Sequence, residues 1–229
     1  VRPPFWEFAV HAGRRARVVN WWATFPAARH EGLEVVSDRW FLRRWEGRDD
    51  EPAARATLVC PPRLLDALQE KWDGPDAPTP PADEGVLLYA EAADRAHARL
   101  AAAADPLPLD LRAVLLGGLD VRLRAAGGEE GAPDHAREVD ALVEYLARHH
   151  RGPLVLVVSR EGPEGRRAWV WPADFPEGTR LDDLAPAFLK ALGVPPARDM
   201  AAGPGGPRTW GRRPAWTPSA PRAAADLER

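Results

Sequence analysis

The side chains able to do chemistry are thinly spread along this chain. Asp120 follows a pair of glycines at the end of an apolar run, Val114-Leu-Leu-Gly-Gly-Leu-Asp120. A carboxylate there can ligate a metal or close a turn, and the frequency of Asp in turns favours the turn. Arg124, four residues on, and Arg160, beside Glu161, carry guanidinium groups that either line an anion pocket or stand solvated and ion-paired. The second reading is favoured, because surface ion pairs are the ordinary fate of arginine. His149 and His150 are adjacent, and neighbours on a helix point about 100° apart, so they do not chelate one ion. A helix end suits them better, facing the negative pole of the helix dipole. His11 and His30 are isolated in the sequence, and core or surface roles outweigh ligation. Thr24 and Ser37 are hydroxyls without a histidine base at a motif spacing. Cys60 precedes Pro61-Pro62 and reads as an inert thiol.

The elements that must position these residues follow from periodicity and from breakers. Residues 4–13 read as a short helix with Phe5, Trp6, Ala9 and Val10 on one side and Gly13 at the C-cap. Arg17-Val-Val-Asn-Trp-Trp reads as a strand ending at the turn around Pro26. Residues 27–60 read as irregular, 63–71 as a helix after Pro61-Pro62, and 73–82 as a Pro-rich loop. An Ala-rich helix fits 84–104, and 111–118 is a buried-strand candidate ending in glycines. A helix fits 133–149, with Val139, Leu142, Val143 and Leu146 at 3- and 4-residue spacing. Leu154–Val158 reads as the strongest strand and Ala168–Trp171 as another, before a helix over 181–192 closed by Gly193. Strands alternating with helices predict an α/β fold, with a mostly parallel sheet covered by helices on both faces. Chemistry in such sheets sits at the carboxyl ends of strands. Here those ends are Asn20–Pro26, Gly117–Asp120 and Ser159–Gly162.

Composition narrows the classes. The 229 residues carry 31 basic and 34 acidic side chains, a net charge of −3, with 45% hydrophobic and 28% charged residues. That balance excludes wholesale disorder and gives no general pull on nucleic acid or an anionic membrane. Trp21, Trp22, Trp40 and Trp45 near arginines invite base stacking, but packing is the better account without a basic stripe. A single cysteine excludes an internal disulfide framework. There is no isoleucine, and arginine vastly outnumbers the two lysines, Lys71 and Lys190, as in proteins of GC-rich genomes. No signal peptide and no apolar run of membrane-spanning length is visible, so the expected location is the cytoplasm. The expected organisation is one α/β domain over 1–202 and a Pro/Gly/Arg-rich irregular tail over 203–229.

The blocks Phe5-Trp-Glu-Phe-Ala-Val-His-Ala-Gly, Val18-Val-Asn-Trp-Trp-Ala-Thr-Phe-Pro-Ala and Gly32-Leu-Glu-Val-Val-Ser-Asp38-Arg come first in the chain. Then follow Val114–Asp120, Val157–Gly162, Leu184–Pro195 and Arg198-Asp-Met. In that order they resemble the alkaline phosphatase superfamily, in its type I phosphodiesterase and nucleotide pyrophosphatase branch. The resemblance implies an alkaline-phosphatase-like α/β fold. It also implies the chemistry of a phosphoric ester hydrolase, in which two zinc or other divalent ions clamp the phosphoryl oxygens and a metal-activated Thr or Ser hydroxyl attacks phosphorus.

This sequence departs from that pattern where the chemistry lies. Asp120 matches a metal-binding Asp, as a vestigial ligand. Arg124 stands at a histidine position, and Arg160 and Glu161 stand where the family carries Asp and His. A guanidinium has no lone pair to give a metal. The family's metal-binding Asp-Gly and its nucleophile fall upstream of Val1, which implies a missing opening segment. The expectation is a degenerate, non-catalytic relative acting as a binding or interaction domain, with no bound cofactor and no catalytic residue. The alternative is the C-terminal part of a metal-dependent phosphoric ester hydrolase whose N-terminal half is missing. A sheet lacking its first strand is expected to recruit a protein partner or to form a homodimer through its exposed edge.

Overall fold

The computed structural model describes residues 4–45, 52–64, 82–104, 108–125, 132–149, 156–162 and 165–171, and also 185–186, 188–190 and 192–195. The elements run α1 (Phe5–His11), β1 (Ala16–Trp21), β2 (Leu33–Ser37), α2 (Trp40–Trp45), α3 (Pro52–Leu58), β3 (Val59–Cys60), α4 (Ala82–Ala102) and β4 (Leu111–Val114), then α5 (Gly118–Ala125), α6 (Ala132–His149), β5 (Leu156–Gly162) and β6 (Gly165–Trp171). The fold is α/β, built on a mixed four-stranded sheet of order β3-β2-β1-β4. β1 pairs parallel with both β2 and β4, and the two-residue β3 pairs antiparallel with β2.

Alternation along the strands sends apolar side chains to both faces of this sheet. Ala16, Val18, Leu33, Val35 and Ala113 pack with Trp6 of α1 on one face. Val19, Val36 and Val59 face the other way, against Trp40, Leu58, Leu100 and Leu142 from the helices. Coverage on both faces explains why β2 is buried throughout and why its sequence shows no simple alternation. The expectation of irregular structure over residues 27–60 is corrected here, because β2, α2, α3 and β3 lie within it. Glu34 interrupts the apolar run of β2, which hides the strand from a hydropathy reading. Its charge is met inside the fold by Arg17 Nε, 2.7 Å from Glu34 Oε2.

Helix ends follow the glycines. Gly13, at φ +77°, lets its own N–H reach the Val10 carbonyl and the Arg14 N–H reach Ala9, closing α1 in a Schellman turn. Gly193, at φ +69°, does the same for the helical residues 188–190, with the Val194 N–H on the Leu189 carbonyl. Ala9, Leu189 and Val194 are buried together, so the turn around residues 188–194 docks on α1. On α6, Leu142, Val143 and Leu146 are buried and Val139 is half-buried, as their spacing predicts.

The second correction concerns Leu154–Val158. The strand forms as β5, but it belongs to a separate two-stranded antiparallel sheet with β6. It runs on through Arg160 and Glu161, which pair with Arg167 and Arg166, to Gly162 opposite Gly165. Two β-rich runs separated by only Pro163-Glu164 between glycines form a hairpin, whose short connection cannot span a parallel crossover. Residues 203–229 and 73–81 lie outside the described residues, as do the expected helix positions 65–71.

Candidate functional site

In a sheet of order β3-β2-β1-β4, the chain leaves β1 toward β2 and later returns to β4 on the other side. The crevice at the carboxyl ends of β1 and β4 is therefore the switch point where such folds bind ligands. Asn20 spans it. Its backbone is left-handed at φ +56°, and its Nδ2 donates to the Leu115 carbonyl at 2.9 Å. Asn tolerates this conformation better than most residues because its short amide can bond locally.

Beyond Asn20 the chain closes on the end of β2. The Thr24 hydroxyl donates to the Trp21 carbonyl at 2.6 Å and accepts the Asp38 N–H at 3.1 Å. In return Asp38 Oδ2 accepts the N–H of Ala23, itself left-handed at φ +61°, at 3.2 Å. The Ala-Thr-Phe-Pro and Ser-Asp-Arg blocks are thus two halves of one clasp. Thr24 is buried, with its hydroxyl donating one hydrogen bond and accepting another as the link of this clasp. The clasp pushes aromatic surface outward: Trp22 is 75% exposed and Phe25 42%. The Arg39 guanidinium sits 5.7 Å from the centre of the Phe25 ring.

At the end of β4, Gly117 and Gly118 lead into α5. A strand, a glycine pair and a helix N-terminus is an arrangement that binds phosphate through its exposed N–H groups. Here the place is filled from within. Asp94 of α4, 1% exposed, accepts the Gly118 N–H with both carboxylate oxygens, at 3.1 and 3.0 Å. A Cβ at position 118 would lie 2.5 Å from Asp94 Oδ2 and 2.7 Å from the Ala90 carbonyl. Only glycine permits this approach.

The singled-out residues are dispersed. Asp120 is exposed in the first turn of α5, a position that favours a negative charge irrespective of any metal. Arg124 lies near the end of the same helix, and its side chain is outside the described residues. Arg160 and Glu161 sit within the β5 ladder and not beyond the end of a central strand, which corrects their expected position. Among the described residues no group of three or more His, Cys, Asp or Glu side chains is placed to hold a metal ion. His149 is exposed at the end of α6, its Nδ1 donating to the Tyr145 carbonyl at 2.8 Å. Cys60 is half-buried and unbridged.

Of the buried polar groups that the sequence reading missed, two bear on this part of the molecule. One is Asp94. The other is His97, 3% exposed against the rings of Trp40 and Phe41. Among the described residues neither of its ring nitrogens has a partner, and burial lowers its pKa from 6.5 to about 3. Asp94 falls four residues after Ala90, and His97 three after Asp94, four after Ala93 and three and four before Leu100 and Ala101, on the buried stripe of α4, and that spacing is the signal that finds them.

No protein-family model, curated protein or solved structure matches the chain. Its class therefore rests on its own geometry, an α/β protein with a mixed sheet. Among the described residues no helix is long and apolar enough to cross a membrane.

Proposed function

We propose that this chain is a degenerate, non-catalytic relative of the metal-dependent phosphodiesterases and nucleotide pyrophosphatases, acting as a binding or interaction domain. The observation that carries the reading is Asp94. A carboxylate seated on the Gly118 N–H takes the position an anionic substrate group would take at the head of α5, and its charge repels phosphate. The dispersal of Asp120 and Arg160 between α5 and the β5–β6 hairpin agrees with this. The test is an aryl phosphodiester assay with added zinc or manganese, together with elemental analysis of the purified protein. The expected result is no turnover above the metal-only control. Stoichiometric metal, with turnover lost in Asp120→Ala, overturns the reading.

The interaction surface proposed for this domain is the outer side of β4. β4 ends the strand order, and among the described residues it pairs with β1 alone. Leu111 and Leu115 donate to the Arg15 and Val19 carbonyls of the β1 chain. The N–H of Val114, of opposite parity, points away from β1. A strand from a partner or from a second copy adds there by β-augmentation. Val114→Pro removes that outward donor while sparing the β1 ladder. Its expected effect is loss of self-association or partner capture in light-scattering chromatography, with the thermal transition kept. A monomer in both forms, with no partner, counts against it.

A further inference from the structure

His11 and His30, isolated in the sequence, meet at the amino-terminal margin of the sheet. α1 ends at His11 just before β1, and His30 lies in the turn that feeds β2 at Leu33. Their ring centres are 5.9 Å apart, with the planes inclined at 54°. Both residues are exposed, so an ion reaches them directly from solvent. His11 Nδ1 lies 2.7 Å from the Glu7 carbonyl oxygen. A carbonyl only accepts, so Nδ1 is the donor in this bond, and in the neutral ring Nε2 is the nitrogen that keeps a lone pair. Metal-bound imidazoles are held in the same way, by a hydrogen bond from the second ring nitrogen.

The backbone around both rings is fixed. The Gly13 and Arg14 N–H groups close α1, and the Leu33 N–H donates to the His30 carbonyl at 3.1 Å. Gly32, between them, accepts the Ala16 N–H at 2.9 Å. It packs so near the α1–β1 connection that a Cβ there would meet the Arg14 carbonyl oxygen at 3.4 Å. Metal–nitrogen bonds of about 2.0–2.1 Å place the ring centres of two imidazoles on one tetrahedral ion roughly 5.2 Å apart. The rings stand at 5.9 Å, and turning two exposed side chains about their χ angles closes that difference.

We propose that His11 and His30 bind one imidazole-seeking transition-metal ion, zinc or copper(II), with water in the remaining positions. Imidazole selects these ions over magnesium and calcium. The set is a two-nitrogen chelate, in keeping with the absence among the described residues of any larger ligand group. It lies at the end of β1 opposite the α5 N-terminus, so it joins α1 to the β1–β2 connection and rebuilds no hydrolytic metal pair.

The test is calorimetric titration of the full chain with zinc chloride and with copper(II) sulfate, beside thermal unfolding with and without zinc. The expected result is one equivalent bound by the wild type, with a zinc-dependent rise in melting temperature. His11→Gln and His30→Gln each remove one of the two nitrogen ligands, weaken binding by more than the roughly tenfold that loss of an outer-shell partner costs, and abolish the rise. His149→Gln leaves both unchanged. No binding by the wild type overturns the proposal. So does binding that survives in both single variants, or that is lost only in His149→Gln. Both substituted side chains are exposed, and circular dichroism of the apo variants checks that they fold.

Discussion

The two ends of β1 handle polar groups in opposite ways. Near the amino end, Arg17 is 1% exposed and set among acceptors. Its Nε meets Glu34, and one terminal nitrogen donates to the Leu100 and Ala103 carbonyls at 3.1 and 2.6 Å. The guanidinium thus caps the C-terminus of α4, whose last carbonyls lack partners within the helix. Arg63 adds a second contact to Glu34 from the surface, at 3.3 Å. At the carboxyl end, by contrast, Asn20 and Ala23 are left-handed and Trp22 stands in solvent. Among the described residues Ser37 Oγ, Asp38 Oδ1, Trp40 Nε1 and both nitrogens of His97 are buried without a partner. The difference separates scaffold from candidate site. Buried charge has several partners at Arg17, where the sheet is pinned to α4, while the left-handed backbone and the buried Ser37 Oγ and Asp38 Oδ1 lie where α/β folds place their ligands.

Arg17→Met tests the scaffold end, and has the largest expected effect. It leaves Glu34 buried with one exposed partner and takes the side-chain donor from the Leu100 and Ala103 carbonyls, at a cost of about 3–5 kcal/mol in urea unfolding. Adding Glu34→Leu recovers a large part of that loss, since the stranded charge goes with it. A single substitution costing less than about 1 kcal/mol removes the contrast between the two ends.

At the other end His97 makes stability depend on pH. Its pKa is about 3 in the fold against 6.5 ordinarily, so between those values the unfolded chain binds a proton that the folded chain refuses. Stability is therefore full above pH 6.5 and falls as pH drops toward 3, by up to about 1.4 kcal/mol per unit. His97→Leu flattens this part of the profile and is close to neutral at pH 7, because no made hydrogen bond is lost. Equal acid slopes for wild type and variant in melting temperature show that the ring is hydrated, not orphaned. A smaller effect is expected for Gly118→Ala. The new methyl meets Asp94 and the Ala90 backbone, and forcing α4 from α5 costs about 1–3 kcal/mol. An unchanged denaturation midpoint means that Asp94 does not hold the head of α5.

How far the sequence discloses this molecule differs from one element to the next. β1, α1, α4 and α6 are legible because a single periodicity or a glycine cap marks each of them. β2 is not, since its one charge is neutralised by Arg17, a residue 17 positions away that no local pattern links to it. β5 is legible as a strand but not as half of a hairpin, because an uninterrupted apolar run fits a buried parallel strand equally well. At the candidate site, Thr24 and Asp38 are visible as residues of interest, yet their clasp depends on two strand ends meeting in space. The pairing of His11 with His30 is equally invisible, because α1 and the β1–β2 connection are brought together only by the fold.

Thr24→Val addresses the carboxyl end with the smallest change. Valine keeps the shape and burial of threonine but removes the hydroxyl that bonds Trp21 and Asp38. The Asp38 N–H is then left without its acceptor at the base of the clasp, at a cost of about 1–2 kcal/mol. Thr24→Ser keeps both bonds and is expected to stay within about 0.5–1.5 kcal/mol of wild type, having lost one methyl group. Fluorescence of Trp22 and Trp21 offers a second measurement, since releasing the clasp alters the setting of both rings. If Val and Ser behave alike, the hydroxyl is idle and the strained backbone at Asn20 and Ala23 is held by packing alone. If only Val loosens the tryptophans, the carboxyl end of β1 is held by polar contacts, as the amino end is, but by a neutral clasp where the other uses buried charge.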